Sequence, residues 1–305
     1  MSAIRIGTLA DAQMLTGPIE WRRALFARAR EGGLDHVFVA DHISFQTGFG
    51  MDGLVQAATA AALAPELTVY VGVYLLALRH PVPVARQIAS IAESAPGRLV
   101  LGVGVGGEDR HEIEICGVDP RTRGRRTNEC LVALRALLSG EPASHRCEFF
   151  AFENARIRPA PDPTVPIVIG GRSDAAVRRA ARLGDGWLGV WCSPRRFREV
   201  VETVEAEGSD RDVRWRHGLQ IWVGVDDDRN EARRRLAARM EAMYRIPFER
   251  FERYSPFGRP AEIAAFLAPY AEAGCSEFNV MAMARSTEHA IDAVAEIREF
   301  LRGRG

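Results

Sequence analysis

A chain of 305 residues with 47% apolar side chains is long for an ordinary domain, but it fits one large α/β barrel with a sizeable core. Forty basic and forty acidic residues give a formal net charge of zero, which excludes the basic excess of a nucleic-acid or anionic-membrane binder. Every basic residue is arginine, so a lysine nucleophile, a Schiff base and a P-loop are excluded as well.

The first strand is expected at Ile4–Leu9, with no charged leader ahead of it. Seven more are expected at His36–Asp41, Thr68–Leu75, Arg98–Val105, Val165–Gly170, Gly186–Val190, Gly218–Val225 and Glu277–Ala282. All are short and nearly continuous in apolar residues, as strands buried on both faces are. Amphipathic stretches such as Ile19–Glu31, Val82–Glu93, Arg125–Leu138, Ala175–Leu183 and Glu288–Arg302 predict helices between and after them. Eight strands alternating with helices predict a closed (β/α)8 TIM barrel, an α/β fold, as a single domain over residues 1–305.

Two segments break the rhythm, as insertions after the fourth and seventh strands. Residues 140–164 hold an alternating run, HRCEFFAFENARIR, that reads as a hairpin or loop excursion. Residues 228–260 hold a charged helix, RNEARRRLAARMEAMYR, then an aromatic piece, IPFERFERYSPFGRP, expected as a lid or dimer element over the barrel mouth. Five cysteines (Cys116, Cys130, Cys147, Cys192 and Cys275) without C-x-x-C spacing argue against a disulfide framework or zinc cluster. No apolar run reaches the roughly 20 residues of a membrane span, and the expectation is a cytoplasmic protein.

The stretch Leu99–Glu112, LVLGVGVGGEDRHE, carries the glycine pattern of a dinucleotide-binding turn. A Rossmann motif follows the first strand and opens a helix. Here the glycines begin inside the fourth strand, and EDRHE reads as a loop with no helix directly after it. Two readings remain: glycines that let something flat approach the backbone, or small residues that let barrel side chains interdigitate.

In such a barrel the reactive groups lie at the C-terminal ends of the strands. Asp41-His42 there reads as an acid/base pair, or as a capping aspartate beside a backbone-bonded histidine. Gly170-Gly171-Arg172-Ser173 offers helix N-terminal amides and a fixed charge suited to a phosphate, or a tight turn that needs glycine. Glu108 reads as an acid or as a solvated loop carboxylate. Arg79 is paired with an acid or faces the site, and Trp187 and Trp191 read as core or rim. His111-Glu112-x-Glu114 lacks a second histidine at helical spacing, so no metal site is expected.

In order and spacing, VADHI, RHPVPVARQIASIAESAPGRLVLGVGVGGE, GRRTNECLVALRALLSG, RPAPDPTVPIVIGG and AARLGDGW make the chain resemble the bacterial luciferase-like superfamily of flavin and deazaflavin enzymes over nearly its whole length. The resemblance implies a (β/α)8 barrel whose mouth holds FMN or the deazaflavin coenzyme F420. It implies a non-proline cis peptide late in strand three, placed at Tyr74-Leu75, and a cofactor phosphate at the strand-five glycines. An Asp-His pair after strand two implies the F420 users. In their sugar-phosphate dehydrogenase branch, positions that look like His42 and Glu108 act in catalysis. An extra glycine precedes Glu108 here, and the lysines that hold sugar phosphate in that branch are missing, so its substrate is not carried over.

The resemblance thus implies an F420-dependent oxidoreductase moving a hydride between C5 of the deazaflavin and a small organic substrate. His42 and Glu108 would carry protons, with Asp41, Tyr74, Leu75, Gly104, Gly106, Gly107, Gly170, Gly171, Arg172 and Ser173 around the coenzyme. The alternatives are an FMN-dependent monooxygenase using oxygen and a cofactor-free binding subunit; the retained Asp41, His42 and Arg172 count against the latter. The resemblance also implies a homodimer through the helices flanking strands two and three, where MDGLVQAATAAALAP is apolar enough to pair.

Overall fold

The computed structural model describes residues 4–46, 48, 50–107 and 109–303. The chain opens with β1 (Arg5–Leu9), α1 (Ala12–Thr16), α2 (Ile19–Glu31), β2 (His36–Val39), α3 (Gly53–Leu63), β3 (Thr68–Tyr74), α4 (Pro81–Ser94) and β4 (Leu99–Val103). It continues through α5 (Arg110–Ile115), α6 (Arg123–Leu138), β5 (Ala143–Arg146), β6 (Ala151–Ala155), β7 (Ile167–Gly170), α7 (Asp174–Leu183), β8 (Gly186–Gly189) and α8 (Pro194–Glu207). It closes with β9 (Gly218–Val225), α9 (Arg229–Tyr244), β10 (Phe257–Gly258), α10 (Pro260–Glu272), β11 (Glu277–Met283) and α11 (Thr287–Arg302).

Eight strands pair in parallel in the order β1-β2-β3-β4-β7-β8-β9-β11 and back to β1, closing the barrel. The α/β barrel expected from the sequence is therefore the fold. Alternate residues divide between two apolar layers. Phe38, Tyr70, Val100, Val168, Leu188, Trp222 and Met281 fill the interior, while Val37, Val69, Leu99, Leu101, Ile167 and Ile169 face the helical ring. Burial on both sides is why the strands read as unbroken apolar runs.

Short polar side chains start many of the helices. Asp52 accepts from Leu54 and Val55 at α3, and Ser173, Ser193, Asp228 and Ser286 do the same at α7, α8, α9 and α11. Each occupies amides that the first helical turn leaves unpaired. Residues 140–164 do form a hairpin, with β5 and β6 antiparallel. Where EDRHE reads as a loop, Asp109 instead caps α5, accepting from His111 and Glu112. No described helix is long and apolar enough to cross a membrane.

Two buried histidines make stability pH-dependent. His36 bonds Asn279 at 2.7 Å, and His217 Nδ1 accepts the Trp187 amide at 3.2 Å, which places its proton on Nε2. Burial lowers both below the ordinary histidine range, His217 to about 4. Glu205 lies 3.5 Å from Nε2 but is half-exposed, and it does not offset that burial. Once unfolded, both titrate at ~6.5. As pH falls the unfolded chain binds protons first, so stability is lost between about pH 6.5 and 4. In urea unfolding, His217→Gln should lose about 2 kcal/mol less than the parent between about pH 7 and 4.5. Equal losses in both proteins would refute this.

Candidate active site

Asp41 follows β2 with its side chain fully buried. Its oxygens accept from Gly53 and Leu75 amides at 2.8 Å each and from Arg79 at 2.6 and 2.8 Å. Arg79 also donates to Asp52 at 2.8 Å and lies 4.3 Å over the Tyr74 ring. Burial works against the Arg79 charge, but Asp41 outweighs it and holds the guanidinium above its ordinary pKa. The sequence places Asp41 beside the coenzyme. In the structure its acceptor capacity is taken up inside the wall, so it fixes the ends of β2 and β3 instead.

The next residue is left free by this arrangement. His42 Nδ1 lies 3.1 and 3.3 Å from Glu112 Oε2 and Oε1, and Oε1 also accepts the Ile43 and Ser44 amides at 2.7 and 3.1 Å. Burial pushes the Glu112 carboxyl up, but the bonds from His42 and the two amides prevail and hold it below the ordinary glutamate range. An ionised Glu112 draws the imidazole proton to Nδ1 and leaves Nε2 to exchange protons. His42 packs against Phe45 with the rings tilted and their centroids 4.3 Å apart, and the loop is tied to the start of α5 where Asp109 accepts the Gln46 amide at 2.7 Å. In sequence Glu112 suggests only a metal ligand, and nothing there points to this role. The neighbouring Glu114 pairs with Arg110.

The glycines resolve into two groups. Val71 pairs with Leu101 and Tyr74 with Val103, so β3 carries one extra residue across a bulge. The non-proline cis peptide lies here, at Gly72-Val73, and not at Tyr74-Leu75 as expected. Val73 packs against the interior cluster, while Tyr74 is buried in the outer core and Leu75 is buried with its amide on Asp41. A Cβ at Gly104 would come within 2.4 Å of Val73 Cγ2, and one at Gly170 within 2.8 Å of Cγ1. These glycines form a socket for Val73. Gly104→Ala should cost roughly 1–3 kcal/mol by overpacking. Most of that loss should vanish in a Val73→Ala background, and a double-mutant cycle by urea unfolding without coupling would exclude the socket.

Gly106 (φ +66°), Gly107 (φ +134°) and Gly171 (φ +132°) have backbone conformations that favour glycine. They line an open cleft of about 680 Å³ at the mouth, together with Ser173, Trp191 and four arginines: Arg123, Arg172, Arg250 and Arg253. Among the described residues no carboxylate lines it. Arg123 Nε and Trp191 Nε1 are buried donors with no partner among the described residues. Gly106, Gly107, Gly171, Arg172 and Ser173 are the residues expected from the sequence; Arg123, Arg250 and Arg253 are not, because they come from other elements. Glu108 lies outside the described residues. Trp187 is core, donating to the Gly171 carbonyl at 2.7 Å. A smaller chamber of about 140 Å³, lined mainly by apolar side chains, has His42 in its wall.

An arginine-lined cleft and a carboxylate-held histidine thus lie at the C-terminal end of a (β/α)8 barrel, the face on which such barrels carry their sites. The chain belongs to the luciferase-like monooxygenase family, whose model matches residues 5–288. It is similar to an F420-dependent glucose-6-phosphate dehydrogenase of Beutenbergia cavernae, 31% identical over 205 residues, or 64% of this chain and 60% of that one. The matches span about half to three-fifths of the length of the curated relatives. Among solved structures, an F420-dependent secondary alcohol dehydrogenase in complex with an F420-acetone adduct has the same fold, with TM-score 0.85, 19% identity, and 98% and 99% of the two chains covered. So does the monooxygenase RslO1 from Streptomyces bottropensis, with TM-score 0.80, 18% identity and 99% of both chains covered.

Proposed function

We propose that the protein is an F420-dependent oxidoreductase, transferring a hydride between C5 of the deazaflavin and a small organic substrate. The observation that carries this reading is the cleft, with four arginines, unpartnered buried donors and no carboxylate on its described walls. F420 brings a phosphodiester and a chain of glutamate carboxylates, whereas FMN brings one phosphate. The wall chemistry fits the more anionic of the two. The name of the Beutenbergia relative supports the same coenzyme.

Ser173, Arg172 and the backbone at Gly171 would hold the phosphodiester at the N-terminus of α7. Arg250 and Arg253 would take the carboxylates further out, and Arg123 would lie between, beside Gly107. When bound, the coenzyme supplies the carbon that gives or takes a hydride. His42 Nε2 would take the proton of a substrate hydroxyl, or return one to an oxygen or carbon receiving hydride, with Glu112 keeping the ring oriented. Glu108 is proposed as a second proton carrier. The proposal includes a homodimer, supported by the exposed Trp21 on α2 and Val55 on α3.

Fluorescence titration with F420 beside FMN tests the coenzyme. F420 should saturate at micromolar concentrations or below (~−8 kcal/mol). Arg250→Ala/Arg253→Ala should weaken F420 about tenfold and leave FMN within about twofold. Tight FMN binding with no response to F420 would overturn the proposal.

A further inference from the structure

We propose that Glu129, His145 and Cys147 form a zinc site that clasps the β5–β6 hairpin to helix α6. The three side chains bring one ligand atom each within 4.8 Å of one another. A tetrahedral zinc ion with bonds of ~2.0–2.3 Å keeps its ligands ~3.4 Å apart, so small rotations of these side chains are enough to close on it. None of the three lines the cleft or the chamber of the mouth, and the site stands whichever coenzyme the mouth takes.

Spacing along the chain hides this group. Glu129 lies on α6, 16 residues before His145 on β5, and Cys147 follows that strand. The missing C-x-x-C pattern argues against zinc in the sequence, but the hairpin brings a lone cysteine to a histidine and a carboxylate from another element. His145 Nε2 is 2.9 Å from Glu129 Oε2, and its ring stacks on Phe150 and Phe152 with centroids 5.3 and 6.2 Å away. Cys147 Sγ accepts the Phe149 amide at 3.4 Å, a bond that a metal-bound thiolate keeps, and donates to the Phe150 carbonyl at 3.5 Å.

Arg125 and Arg126 flank Phe149 but are engaged elsewhere, with Glu148 at 2.6 Å and the Ala77 carbonyl at 2.7 Å. A thiolate and a carboxylate balance a divalent charge, and thiolate with imidazole selects zinc over magnesium or calcium. Water takes the fourth position. On binding, the Cys147 thiol gives its proton to water. The imidazole proton that faces Glu129 moves to Nδ1, so Nε2 coordinates with its lone pair. His80, which caps α4, meets Phe150 edge-on at 5.4 Å, so the clasp also braces the chain just after Arg79.

The test titrates cobalt, a visible stand-in for zinc, into the metal-free full chain. One equivalent should raise a thiolate-to-cobalt band in the near ultraviolet, and zinc should displace it with a Kd of about 1 μM or below. Cys147→Ser should abolish the band and weaken zinc at least about 100-fold, while Glu129→Gln should weaken zinc about tenfold and keep the band. Alkylation mapped by mass spectrometry needs no variant. Zinc should slow the reaction of Cys147 at least about tenfold and leave the partly exposed Cys116 within about twofold. A missing band, a band that survives Cys147→Ser, or equal protection of Cys116 would overturn the proposal.

Discussion

Arg79→Ala should destabilise the protein by about 3–5 kcal/mol, because it strands a buried carboxylate. Asp41 has no exposed side-chain surface, and both its oxygens bond the Arg79 guanidinium at 2.6 and 2.8 Å. Without the arginine, two backbone amides are all that is left to satisfy it, and Asp52 loses its partner as well. Typical domains have only ~5–15 kcal/mol in total, so the variant should sit near the edge of folding. Arg79→Lys should recover part of the loss, since one ammonium cannot reproduce the paired contact. Urea unfolding measures both variants. A loss below about 1 kcal/mol for Arg79→Ala would mean that the pair behaves like a surface salt bridge and that its buried geometry contributes little.

His42→Ala should lower kcat about 10²- to 10⁴-fold, the usual scale for losing a positioned acid/base group. Affinity for F420 should stay within about threefold, since His42 is not among the residues lining the arginine cleft. Glu112→Gln should cut kcat about 10- to 100-fold, as loss of an orienting carboxylate does elsewhere. Its side chain can still fill the space and accept one amide, so its stability should change less than that of Arg79→Ala. Stopped-flow turnover and coenzyme titration separate these outcomes. A His42→Ala enzyme with unchanged kcat would remove the histidine from the reaction altogether.

Much of the fold is legible in the sequence because double burial imposes an apolar run on each strand, and the observed strands fall within a few residues of those runs. The short helix α5 is not legible, since six mostly polar residues show no periodicity and its cap, Asp109, sits in a stretch of loop-like composition. The cis bond is misplaced for a related reason. VYVGVYLLAL is apolar throughout, and only pairing with β4 reveals which residue is extra. In the site, Asp41 and His42 are adjacent in sequence but face opposite demands, one sealed in the wall and one at the mouth, and sequence does not distinguish them. Glu112 and the outer arginines come from separate elements, so only closure of the barrel brings them to one place. Among the glycines the packing reading is seen at Gly104 and Gly170, which make room for Val73, while Gly106, Gly107 and Gly171 line the cleft.

The two chambers of the mouth draw on different parts of the chain. The arginine cleft is built mainly from the segments after β4, β7 and β8 and the stretch beyond α9, and the apolar chamber mainly from β1, the loop after β2, β9 and β11. Inheritance can therefore act on them separately. Mutations in β1 or β11 can change the wall of the apolar chamber and leave the lining of the arginine cleft untouched. Helix α9 is an exception, for Met243 lines one chamber and Tyr244, its neighbour in the chain, lines the other. Lineages that acquire new substrates through α9 should therefore bear compensating changes in the cleft, and lineages that do so through the strands should not.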